Sequence, residues 1–174
     1  MKPIFGYCFF TVATDGFFTE SIVFEYSDPD REYERVLKDE QLLREELRVL
    51  KANMQSFIDE ERLRVNGVEV KPKVVDVDVG FTDSVERPYI NFIVVFNAPL
   101  RLGGLNVYED EYEPEEAEYD YIVKWVLPRG GRVVEADFGF EYVVGPDNVL
   151  RFRVRKGEVT PGRERMVFYL PPRR

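Results

Sequence analysis

IFGYCFFTVATDGFFTESIVFEY, residues Ile4 to Tyr26, decides the fold. Two aromatic-rich apolar runs flank Thr14, Asp15 and Gly16. Asp followed by Gly supplies the reversal, so the stretch predicts a β-hairpin with strands over about 4–13 and 17–26. Phe, Tyr, Val and Ile suit a pleated, half-buried surface. Apolar side chains sit at nearly every position of both runs, so much of this sheet is expected to be buried on both faces. A secretory leader built on Lys2 and the apolar residues to Ala13 competes with this reading. The second apolar run that follows Asp15-Gly16 favours the hairpin, and with it an intracellular, cytoplasmic protein.

Downstream, Ser27-Asp28-Pro29-Asp30 ends the second strand and offers acidic groups to a helix N-terminus. One helix is expected within 30–62. Leu43, Leu47, Leu50, Met54 and Phe57 are spaced to share one face, and Val36 extends the stripe upstream. That face docks on the chain's own sheet or, over about two heptads, on a partner helix. Asn66-Gly67 between Leu63-Arg-Val65 and Val68-Glu-Val70 predicts a second hairpin. Strands follow over 75–81 and 89–96, the latter apolar enough to be central. Residues 98–118 read as a long connection. Strand patterns resume at 119–127, 132–144, 149–155 and 165–170.

The resulting fold class is α+β, mostly antiparallel β. It comprises an N-terminal hairpin plus one amphipathic helix joined to a C-terminal β-sandwich, which resembles an immunoglobulin-like sandwich in strand rhythm alone. Residues 1–174 are expected to form a single compact unit. A subdivision into 1–72 (hairpin, helix, hairpin) and 73–174 (sandwich) is the alternative.

Composition narrows the chemistry. The 174 residues carry a net charge of -9, which repels nucleic acid and anionic membranes on average. Histidine is absent, so Ser-His-Asp and Cys-His catalysis are excluded. The single cysteine, Cys8, is expected to pack as a small apolar group. Gly103-Gly104 lacks the Lys-Ser/Thr of a phosphate loop. Gln occurs only at Gln41 and Gln55 beside many Glu and Arg, a bias shared with thermophile proteins.

Three constellations remain. Asp76 and Asp78 share a strand face, with Asp83 and Glu86 in the next turn. They form the main candidate set for Mg or Ca and hence for a divalent-metal enzyme, beside weak Ca binding by the acidic segment and against the plainer reading of a solvated face. Residues 109–120 hold eight acidic groups and no basic one, while 150–174 hold eight basic and two acidic. Tyr108, Glu109, Asp110, Glu111, Tyr112 and Glu113 are candidates for docking a protein partner, unless the segment is only a solvated, mobile loop. Arg151, Arg153 and Arg155 alternate with Phe152 and Val154 and are candidates for an anion or RNA contact, or for complementing the acidic segment in the same chain or in a homo-oligomer. The leading expectation is a non-enzymatic interaction module. Nucleic acid is the weaker partner, and no membrane association is expected.

Overall fold

Residues 1–173 are described by a computed structural model; Arg174, one of the eight basic residues of the C-terminal stretch, lies outside the described residues. The first hairpin forms as read, with β1 (Lys2–Val12) antiparallel to β2 (Phe17–Ser27). Two helices follow where one was expected. α1 (Glu32–Lys38) and α2 (Glu40–Ile58) are separated at Asp39, whose backbone is extended. Asp39 Oδ1 accepts from the Gln41 and Leu42 amides, at 2.9 and 3.0 Å, and so starts a new helix. Asn66-Gly67 joins β3 (Arg62–Val65) to β4 (Val68–Glu69). β5 (Lys73–Phe81), β6 (Pro88–Asn97), β7 (Gly104–Glu111), β8 (Asp120–Val126), β9 (Arg132–Asp137), β10 (Tyr142–Val144), β11 (Val149–Val154) and β12 (Arg163–Leu170) complete the chain.

These strands build two sheets. The larger runs β10-β11-β8-β1-β2-β6-β5, and the smaller β4-β3-β7-β12-β9. Neighbours are antiparallel except β1 and β8, which pair in parallel from Phe5↔Asp120 to Thr11↔Val126. The first hairpin therefore sits inside the larger sheet, between β8 and β6, and the sheet joins strands from both sides of residue 72. The expected immunoglobulin-like sandwich of 73–174 is not confirmed, because its strands are completed by β1, β2 and β3.

One face of the larger sheet carries both apolar cores. At one end, Phe10, Phe18, Phe96 and Trp125 pack against Tyr108, Met166 and Phe168 of the smaller sheet. Phe10 stacks on Trp125 at 4.0 Å, and Phe18 on Phe96 at 4.6 Å. At the other end, Ile90, Phe92, Val94, Val74 and Val77 pack against Tyr33, Leu47, Leu50, Met54 and Ile58. Phe57 departs from the expected stripe: it is 50% exposed, and Ile58 takes the core position four residues after Met54. Ile122, whose burial its apolar run suggests, points away from the core, since its neighbours Val123 and Trp125 hold the inward phase of β8.

The opposite face corrects the expectation of two-sided burial. Tyr7, Phe9, Val23, Ile93 and Ile122 lie there partly buried and outside both cores.

Residues 98–118 are not one connection, because β7 occupies its middle. Its inward positions are Asn106, Tyr108 and Asp110, and its more exposed ones include Leu105 and Val107. That inverted polarity hides the strand in the sequence. No described helix is long and apolar enough to cross a membrane.

Candidate functional site

The helix and the smaller sheet share one face of the larger sheet but leave a gap between them. The gap is a cleft of about 280 Å3. Its floor is the inward side of β1, β2 and β8, with Cys8, Glu20, Phe24 and Tyr121. One wall is the end of α2, with Met54 and Phe57, and the turn after it, with Glu61. The facing wall is β7 and β12, with Tyr108, Asp110, Tyr112 and Glu164. Tyr119, Glu113 and Glu115 close one end. Among the described residues, seven carboxylates line the cleft and none of the lining residues is Lys or Arg.

Local backbone makes the space. Gly6 faces the cleft from β1, and a Cβ there would stand 3.0 Å from Tyr121 Cβ and 3.2 Å from Tyr119 Cε2. Glycine thus lets both tyrosines lean across the strand. Gly162 has φ +76, and a Cβ on it would meet Pro114 Cγ at 2.8 Å and the Tyr112 carbonyl at 2.9 Å. This close approach seats the acidic segment against the start of β12. Thr160 then pins the segment: its amide donates to the Glu115 carbonyl at 2.8 Å, and the Glu115 amide donates to Thr160 Oγ1 at 2.9 Å. The Ala117 amide donates to the Glu158 carbonyl at 2.8 Å. The segment is therefore a fastened wall of the cleft and not a loose loop.

Four of the carboxylates are held in poorly hydrated positions. Burial pushes Glu20 up to about 7, opposed by the hydrogen bond that the Cys8 thiol donates to its Oε1 at 3.0 Å. Burial, then the nearby charges of Asp110 and Glu20, push Glu164 up to about 8. Glu61 and Asp110 are both raised, chiefly by burial. Asp110 is 6% exposed, and its Oδ1 is buried without a hydrogen-bond partner. Tyr112 donates its hydroxyl to Glu164 Oε1 at 3.3 Å. Cys8, expected to be plain core packing, is partly buried, lines the cleft and has its thiol pKa raised by burial.

The sequence candidates divide between surfaces. Tyr108, Asp110, Tyr112 and Glu113 line the cleft. Glu109 and Glu111 alternate to the other side of β7, where Glu109 pairs with Arg163 at 3.5 Å and Glu111 with Arg64 at 2.8 Å. Arg165 stands 4.0 Å from Glu109. Arg153 pairs with Asp120, so among the described residues three ion pairs join the acidic and basic segments within the chain. Arg151 shares the outer face of β11 with Arg153, whereas Arg155 lies past the strand's end. Beside β10 and β11 a wider, shallow depression of about 860 Å3 opens over Ile122, Arg151 and Arg153.

Asp76 and Asp78 project from β5 opposite Ile93 and Asn91, and Asn91 donates to Asp78 at 3.1 Å. Glu86 is held by Arg31 at 2.8 Å, and Asp83 lies 4.0 Å from Arg87. Among the described residues, no three His, Cys, Asp or Glu side chains converge as a metal site.

Glu20, Glu61 and Glu164 were not singled out from the sequence. The signal was a charge in an apolar phase. Glu20 alternates with Phe18 and Ile22, and Glu164 with Met166 and Phe168.

No protein-family model matches the chain, and no curated protein matches it. Its structure is similar to the folded domain of LppM from Mycobacterium tuberculosis, at 12% identity and a TM-score of 0.46, over 98% of this chain and 93% of that one. It is also similar to a candidate protease from Parabacteroides distasonis, at 8% identity and a TM-score of 0.36, over 98% of this chain and 40% of that one.

Proposed function

We propose that this chain is a non-enzymatic binding protein whose cleft takes a small organic cation, a protonated amine on an apolar or aromatic body. The observation that carries the reading is a half-enclosed cleft lined by seven carboxylates without a basic residue, with the buried Asp110 Oδ1 left unpartnered. An ammonium group supplies both the missing charge and the missing donor. Tyr108, Tyr112, Tyr119, Tyr121 and Phe24 supply ring surface, which attracts cations and buries an apolar body. A cleft of about 280 Å3 is at the small end of ligand sites, the size for a ligand of roughly a dozen heavy atoms.

This reading keeps the expected interaction role but moves it from the acidic segment's surface into the cleft. A cytoplasmic setting belongs to the same proposal. The divalent-metal enzyme has less support, because Glu86 and Asp83 face arginines and stand apart from the β5 carboxylates.

Calorimetric titration with phenethylamine, cadaverine and spermidine tests the proposal, with 2-phenylethanol as the neutral control and a lysine-rich peptide as the macromolecular one. Saturable binding of an amine, lost with the neutral control and weakened in Asp110→Asn, supports it. Binding of none of the amines, or equal binding of 2-phenylethanol, overturns it. Binding of the peptide alone returns the site to a protein partner.

A further inference from the structure

We propose that the open face of the larger sheet is an interface with a second copy of this chain. The inference is independent of the cleft, which lies on the other face. Phe9, Val23, Ile93, Val95 and Ile122 form an apolar field across four central strands, outside both cores. Ser21, Asn91 and Asp78 interrupt this field with hydrogen bonds of 2.9 and 3.1 Å, but a clustered apolar patch on an otherwise water-facing sheet still marks a contact surface. Seven strands about 4.8 Å apart, over about 20 Å of strand length, present roughly 600 Å2, near the ~800 Å2 that each partner gives to a stable complex.

Charge selects the occupant. One residue row crosses the face in the order Asp76, Ile93, Ser21, Phe9, Lys124, Arg151. Its acidic end is on β5 and its basic end on β11. Among the described residues, Asp76, Lys124 and Arg151 have no ion-pair partner.

A two-fold axis lying in the interface and parallel to the strands, passing between β1 and β2, reverses this row onto itself. Asp76 then faces the partner's Arg151, Ile93 faces the partner's Lys124 stem, and Phe9 packs beside the partner's Ser21. The other in-plane axis, across the strands, stacks acid on acid and base on base. The face is thus self-complementary in one arrangement, as an isologous interface requires. The same dimer supplies the second buried face that the apolar density of the first hairpin implies.

Sedimentation velocity on the full chain, from low to high micromolar concentration, provides the test. The expected result is a dimer. Phe9→Lys abolishes it with the circular dichroism spectrum unchanged, and Val23→Lys serves if the first variant misfolds. Asp76→Arg weakens it by at least about tenfold by setting like charges together twice, and Asp76→Arg combined with Arg151→Asp restores it. A monomer at every concentration overturns the proposal. So does a dimer whose affinity ignores Phe9→Lys and Asp76→Arg, or a monomer that binds oligouridylate or anionic vesicles through this face.

Discussion

Asp110 and Glu164 are direct partners across the antiparallel pair β7 and β12, and both face inward. Like charges set opposite each other in a ladder oppose folding. The strands nevertheless close, because burial keeps these carboxyls protonated well above the usual carboxylate range. Glu164→Gln retains the acceptor for Tyr112 and removes the charge. It is expected to stabilise the ligand-free protein by about 1–3 kcal/mol at pH 8, read by urea denaturation.

Stability should fall as pH rises. Below the unfolded values near 4.5, Glu20 and Glu164 are protonated in both states, and their contribution is greatest. Between there and the folded values of about 7 and about 8, the unfolded chain releases protons that the folded chain retains, so unfolding gains. The melting temperature is therefore expected to drop from pH 5 to pH 8 in ligand-free protein, and Glu20→Gln with Glu164→Gln to flatten the slope. A flat wild-type profile would show the cleft to be well hydrated.

Amine affinity should run the other way. The carboxylates ionise through the same window while an alkyl amine stays charged. Binding is expected to strengthen by roughly tenfold or more from pH 6 to pH 8 and to release protons, measured as buffer-dependent heats in titration calorimetry.

Gly162→Ala forces a side chain into a left-handed backbone position already occupied by Pro114 and the Tyr112 carbonyl. A loss of about 2–4 kcal/mol is expected, together with faster proteolysis within 113–118 as the wall of the cleft detaches.

In the core, Phe96→Ala removes a ring stacked on Phe18 and should cost about 3–5 kcal/mol in chemical denaturation. Leu50→Glu places a charge where α2 meets the sheet and should cost about 2–4 kcal/mol.

Local turn chemistry was legible in the sequence. Asp15-Gly16 and Asn66-Gly67 mark real hairpins, and the 3-4 spacing through Leu47, Leu50 and Met54 marks the packed side of α2. Pairing between distant strands was not, since nothing near Phe5 announces Asp120 as its neighbour. The cleft was hidden for a related reason. Its carboxylates come from β2, the turn after α2, β7 and the segment that follows it, and β12, and Glu20 and Glu164 each alone read as a stray charge in an apolar run. Only the sheet order brings them together. Within the acidic segment, strand alternation sends Asp110 into the cleft and Glu109 to an arginine on the far side, a division that charge alone does not reveal.

The parallel join of β1 to β8 bears on synthesis of the chain. More than a hundred residues separate Val12 from Asp120. At about 5–20 residues per second, the ribosome exposes the β1 edge for roughly 5–20 s before its partner emerges. Throughout that interval an aromatic strand with an unpaired ladder is open to any passing β-strand, including another nascent copy. Slowing translation after residue 27 should therefore lower the soluble yield, and a holdase that shields β1 should restore it.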